Sequence, residues 1–121
     1  MIDTLYVTKP PKTLSAFSQK ASLFVLQHHD FYMEQVQKLN AERIKLVSAL
    51  KSLSIIEKVY NSGTNFILVR MHKVDLPKLL EDEMILVRDY PPTGILANCM
   101  RLTVGTEEEN NKILDMLTKY C

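Results

Sequence analysis

Cys99-Met100-Arg101-Leu102-Thr103-Val104-Gly105-Thr106-Glu107-Glu108-Glu109-Asn110 changes its period once, and that change sets the fold class. Up to Val104 the side chains alternate. Met100, Leu102 and Val104 share one face of a strand, and Arg101 and Thr103 share the other. Gly105-Thr106 ends the strand. Thr106 followed by Glu109 predicts a capping box, and Glu107 and Glu108 suit the positive end of a helix dipole. Ile113, Leu117 and Tyr120 then line a final helix.

Working outward, Ile85 to Asp89 reads as a third strand, joined to the fourth by a loop over Tyr90 to Asn98 that carries Pro91, Pro92 and Gly94. Asp75 is placed to cap a short helix through about Glu81. Ile55 to Tyr60 and Asn65 to Arg70 read as two strands around the turn Asn61-Ser62-Gly63-Thr64, where Gly63 is free to take positive φ. That connection predicts an antiparallel hairpin. Asn65 is assigned to the turn.

Two helices come before the strands. Thr13 is a candidate cap for the first, with Leu14, Phe17, Ala21, Phe24 and Val25 on one side. His28-His29-Asp30 interrupts it, and Asp30 is a candidate cap for a longer helix over 30–53. Val36, Leu39, Leu46, Leu50 and Leu53 form its apolar stripe. The expected fold is α/β: two N-terminal helices, then a small, mostly antiparallel four-stranded sheet with helices on one face. The other face is left for a partner domain. Residues 1–12, stiffened by Lys9-Pro10-Pro11-Lys12, form a lead-in, and 13–121 form one domain.

Composition narrows the function classes. Of 121 residues, 46% are apolar and 24% charged, as in an ordinary globular domain. Fifteen basic residues against 14 acidic leave a net charge of +1, which gives no footprint for nucleic acid or an anionic membrane. No apolar run approaches the roughly 20 residues of a membrane span, and Met1 to Pro10 does not read as a signal peptide. Cys99 and Cys121 are too few for a disulfide scaffold, which fits a reducing, cytoplasmic setting. The three glycines are isolated, so no phosphate-cradling loop is present. His28 and His29 point to different faces of any helix and lack a third ligand, so a polar helix end is expected and no metal site.

Two arginines remain. Arg88 follows Ile85-Leu86-Val87, and Arg101 lies inside an apolar strand. An arginine there is unfavourable unless it is paired, and its planar fork suits a carboxylate or phosphate. Spacing alone favours the plainer reading, arginines on a solvated sheet face paired with Asp89 or Glu83, because surface arginines in strands are common. Both arginines are expected at the same edge of the sheet, where two converging guanidiniums would need an anion between them.

Four stretches carry a family resemblance. Cys99 to Asn110 resembles the C-terminal signature of histidinol-phosphate aminotransferases. Ile85-Leu86-Val87-Arg88-Asp89 and Thr64-Asn65-Phe66-Ile67-Leu68-Val69-Arg70 resemble two of the family's strands. The Lys9-Pro10-Pro11 lead-in, with Leu14-Ser15 and Ser18-Gln19, resembles the family's crossing from large to small domain. Together they span about residue 8 to residue 120.

The resemblance implies a homodimeric, fold-type I enzyme that uses pyridoxal phosphate. It implies that this chain is the enzyme's C-terminal small domain. Arg101 matches the family arginine that binds the substrate's anionic group, and Arg88 a second arginine at the phosphate end. The lysine that carries the family's cofactor sits in a Ser-Lys step of the large domain, and no Ser-Lys occurs here. The chain is therefore expected to be inactive alone, with no catalytic or cofactor-binding residue of its own. Lys12-Thr13 stand where the family often has Tyr-Asn, and Met71 to Glu83 is short for the family. The competing readings are the small domain of a threonine-phosphate decarboxylase and a stand-alone anion-binding α/β module.

Overall fold

A computed structural model describes residues 14–72 and 75–121. The chain divides into two compact units, one ending at Glu34 and the other spanning Gln35–Cys121. The first unit is helical. α1 (Ala16–Gln27) is capped by Ser15, whose hydroxyl accepts from the Ser18 amide. The expected cap, Thr13, lies outside the described residues. His28 ends the helix: its amide donates to Phe24 and Val25, and its Nδ1 lies 2.9 Å from the Phe24 carbonyl. His29 pairs with Asp30 at 3.2 Å. The two histidines are thus polar helix-end groups. No residue of α1 is buried, although Leu14, Phe17, Phe24 and Val25 were read as its apolar side.

α2 (His29–Ser52) begins in this unit and runs into the second. Asp30 lies in its first turn and not at its cap. From Gln35 onward the stripe is as the spacing predicts except at Val36. Leu46 and Leu50 are fully buried, Leu39 and Leu53 pack beside them, and Val36 stays exposed.

The second unit is built on four strands: β1 (Ile56–Val59), β2 (Phe66–Met71), β3 (Arg88–Asp89) and β4 (Cys99–Thr103). Their order is β1-β2-β4-β3, and every pairing is antiparallel. The helices α3 (Leu76–Asp82) and α4 (Glu107–Thr118) complete the unit. Ile67, Val69 and Met71 of β2 and Met100 and Leu102 of β4, with Val104, form one apolar face. It packs against Leu46 and Leu50 of α2, Leu80 of α3, and Ile113, Met116 and Leu117 of α4. Such side chains contribute roughly 1.5–3 kcal/mol each when fully buried, so this face accounts for most of the unit's stability.

Among the described residues one polar side chain lies in this core. Asn110 is 3% exposed. Its Oδ1 accepts from the Gly105 amide at 3.0 Å, and its Nδ2 donates to the Gly105 carbonyl at 3.2 Å and to Glu42 Oε2 at 3.3 Å. The β4–α4 turn is thereby fastened to α2. Beside it, Glu42 binds Lys45 at 2.7 Å. The Lys45 ammonium, more than the Asn110 amide, holds the Glu42 carboxyl below its usual range, and Glu42 raises Lys45 in turn. The capping box of α4 is present. Thr106 Oγ1 accepts from the Glu109 amide, and Glu109 accepts from the Thr106 amide at 2.8 Å. That backbone bond lowers the Glu109 carboxyl. Tyr120, expected on the helix stripe, lies beyond the helix end and is exposed, and Met116 is buried instead.

Three local expectations are corrected. The third strand is not Ile85–Asp89: only Arg88 and Asp89 pair. Ile85 donates its amide to Leu80 at 2.8 Å and Met84 donates to Glu81 at 2.9 Å, with Met84 at φ 61°. This is a Schellman closure of α3, so Ile85 is committed to the helix end and not to a ladder. Asp75 precedes α3 but makes no side-chain cap; Pro77, in the first turn, sets the backbone there. Gly63 does not take positive φ. The glycine that does is Gly94, at φ 91° in the β3–β4 loop. The hairpin connection is held by side chains instead, with Ser62 Oγ accepting from the Thr64 amide and Thr64 Oγ1 from that of Phe66.

Candidate functional site

The face of the sheet away from the core carries the site. Along β4 it bears Cys99, Arg101 and Thr103; along β2, Phe66, Leu68 and Arg70. In an antiparallel pair, residues directly opposite each other project to the same side. Arg88 of β3 lies directly opposite Arg101 of β4, so both expected anchors stand side by side on this face. Asp89 lies opposite Met100 and projects to the other side. A pairing of Arg101 with Asp89 is excluded by that register.

Each guanidinium rests on an aromatic ring. Arg101 Cζ lies 4.4 Å from the centre of Phe66, its diagonal neighbour on β2, and Arg88 Cζ lies 6.0 Å from the centre of Tyr90. Among the described residues neither arginine has a carboxylate within ion-pair distance. Arg101 is half-buried and Arg88 exposed. Two like charges directly opposite each other are unfavourable. Aromatic stacking orients a guanidinium without neutralising it. The pair is left with unsatisfied positive charge and two planar donor forks, an arrangement suited to a phosphate or carboxylate.

Sequence reasoning found both arginines but missed their neighbours. Phe66 and Tyr90 are the rings on which they lie, and Arg70 is a third cation on the same face. Arg70 donates to the Ile95 carbonyl at 2.7 Å, and its Cζ lies 5.8 Å from the centre of Tyr60. The Cys99 thiol, and after it Tyr60, raise its pKa further above the ordinary arginine value. The signal was available: Phe66, Leu68 and Arg70 recur at period two, which places them together once the strand is recognised.

The chain matches the model of the family described as aminotransferase class I and II over residues 1–117. It belongs to that family. Among curated aminotransferase relatives, the histidinol-phosphate aminotransferase of Ruminiclostridium cellulolyticum is 34% identical over 116 residues, covering 95% of this chain and 32% of that protein. The enzyme of the same name from Paracidovorax citrulli is 35% identical over 121 residues, covering 97% of this chain and 32% of that protein. This aminotransferase chain therefore spans about a third of the length of the curated relatives it matches.

Solved structures agree on the fold. The crystal structure of the histidinol-phosphate aminotransferase from Clostridium acetobutylicum superposes with a TM-score of 0.80 at 21% identity, covering 98% of this chain and 36% of that one. L-threonine-O-3-phosphate decarboxylase from Porphyromonas gingivalis superposes with a TM-score of 0.73 at 24% identity, covering 98% of this chain and 38% of that one. No described helix is long and apolar enough to cross a membrane.

Proposed function

We propose that residues 13–121 are the small, C-terminal domain of a histidinol-phosphate aminotransferase-like enzyme, with 1–12 as its lead-in. In this reading Arg101 and Arg88 hold the anionic end of a phosphorylated amino substrate. The observation that carries it is the Arg88–Arg101 cross-strand pair, two unneutralised guanidiniums in register on the open face of the sheet. The relatives' common name supplies the substrate. The whole enzyme, a cytoplasmic homodimer, would move an amino group between histidinol phosphate and 2-oxoglutarate in histidine synthesis.

Family membership implies pyridoxal phosphate, which when bound supplies an electron sink for amino transfer. The residues described here do not fit the role of holding it. Every described lysine is exposed to solvent and none lies in an enclosed cavity. The lysine and the phosphate cradle then belong to the larger remainder of the enzyme. This chain contributes binding and orientation of the substrate's anion, and the chain alone is inactive.

Calorimetric titration of the 121-residue chain with histidinol phosphate and with histidinol tests the reading. Tighter binding of the phosphorylated compound is expected, falling about tenfold in Arg101→Met as one charge-assisted pair is lost. Equal affinity for both compounds refutes an anion site at this pair. Turnover by the chain with added pyridoxal phosphate refutes its inactivity.

A further inference from the structure

β3 is two residues long, so only two register pairs, Arg88 with Arg101 and Asp89 with Met100, hold one arginine beside the other. Beyond these pairs Arg88 is held on its N-terminal side by Val87, packed against the core, and on its C-terminal side through the loop over residues 90–98. That loop turns tightly: Gly94 and Asn98 take positive φ, Ala97 donates to the Gly94 carbonyl at 3.1 Å, and Cys99 donates to that of Leu96 at 3.0 Å. The second of these bonds ties the loop to the first residue of β4. Two further bonds, from successive residues at the end of β2, tie it to the neighbouring strand. The Met71 amide donates to the Asn98 carbonyl at 2.9 Å, and the Arg70 guanidinium donates to the Ile95 carbonyl at 2.7 Å.

We infer that Arg70 is a positioning residue for the anion site, tethering the β3–β4 loop to β2 and thereby setting where Arg88 stands relative to Arg101. This rests on the two-arginine reading above. Three features of Arg70 support it. It lies opposite Cys99, the first residue of β4, so its backbone is fixed in the central ladder while its side chain reaches the loop. Among the described residues no carboxylate lies within ion-pair distance of it, Glu57 acting only through its more distant charge, and the guanidinium donates to a backbone carbonyl. Its Nε is buried without a hydrogen-bond acceptor among those residues. A buried donor left unpaired lowers stability, and it is the outer end of the same guanidinium that reaches the Ile95 carbonyl. Ile95 itself is 89% exposed, so its side chain contributes no anchorage and the carbonyl is the point of attachment.

Amide hydrogen exchange and inorganic phosphate titration of the 121-residue chain, both followed by NMR, test the inference. In Arg70→Met, loss of a charge-assisted bond is expected to speed exchange at the β3–β4 ladder about tenfold, with the β1–β2 ladder unchanged. Phosphate affinity is expected to fall about fivefold or more although Arg88 and Arg101 are intact. Arg70→Lys, which keeps one charged donor, is expected to recover roughly half of each effect on a logarithmic scale.

Exchange and affinity both within about twofold of the original in Arg70→Met overturn the inference. So does faster exchange spread over all ladders, the mark of a merely structural residue. If Arg70→Met does not fold, Arg70→Lys decides by the same comparison of ladders. If the unaltered chain binds no phosphate, the two-arginine reading fails, and the exchange comparison alone still decides whether Arg70 tethers the loop.

Discussion

The two faces of β4 carry the same strand through opposite environments. Met100 and Leu102 face the helices and are wholly buried, in a core to which three helices contribute side chains. Arg101, between them in sequence, faces away, half-buried against one ring and beside a second arginine. The first face contributes stability and tolerates little change. The second sets two like charges directly opposite each other, which is electrostatically unfavourable, and in the proposed reading an anion relieves it. In that reading folding and binding fall to alternate residues of one strand.

Substitutions should separate the two faces by size of effect. Leu102→Ala, opening a cavity in the middle of the apolar face, should destabilise by about 2–5 kcal/mol in urea unfolding. A loss below about 1 kcal/mol would show that the core relaxes around the site. Asn110→Ala leaves both polar groups of Gly105 without their partner and should remove about 1–3 kcal/mol. Met84→Gly relieves a left-handed conformation at an exposed residue and should raise stability by about 1 kcal/mol, read as a higher Tm.

Glu109→Gln should alter the acid limb of unfolding. The folded carboxyl lies below its reference of 4.5, so its contribution is complete above that pH and is lost as pH falls through the lowered value. Unfolding curves of the variant should therefore depend less on pH below 4.5. Arg101→Met should change stability least, by no more than about 0.5 kcal/mol, because a lost cation–π contact offsets a relieved like-charge pair. A large loss there would mean that the open face also supports the fold.

Much of this was legible in the sequence. Period two from Met100 to Val104, the Thr106–Glu109 box and the Leu46–Leu50 stripe are short-range patterns, and the structure realises each. The family followed from motif order. Failures gather where a residue takes a role usually given to another type. Met84 closes a helix in the conformation expected of glycine, so the Schellman turn left no signature and Ile85 was read into a strand. Gly94, and not Gly63, uses glycine's freedom, because serine and threonine hydroxyls already hold the hairpin turn. The pairing of Arg88 with Arg101 is a register, set by a loop whose path no local pattern specifies. Arg70 shares period two with Phe66 and Leu68, but the apolar run it ends hid that alternation.

The brevity of β3 has a consequence for how such a domain can change. Its two paired residues carry one of the two charges, yet the strand bears no fully buried side chain. An insertion or deletion between Pro91 and Ala97 would shift one guanidinium relative to the other while the five register pairs between β2 and β4 remain as they are. The spacing of the charges, and with it the size of anion that the proposed site would span, is therefore open to mutation separately from the core. A lineage could move from one phosphorylated substrate to another by editing a surface loop.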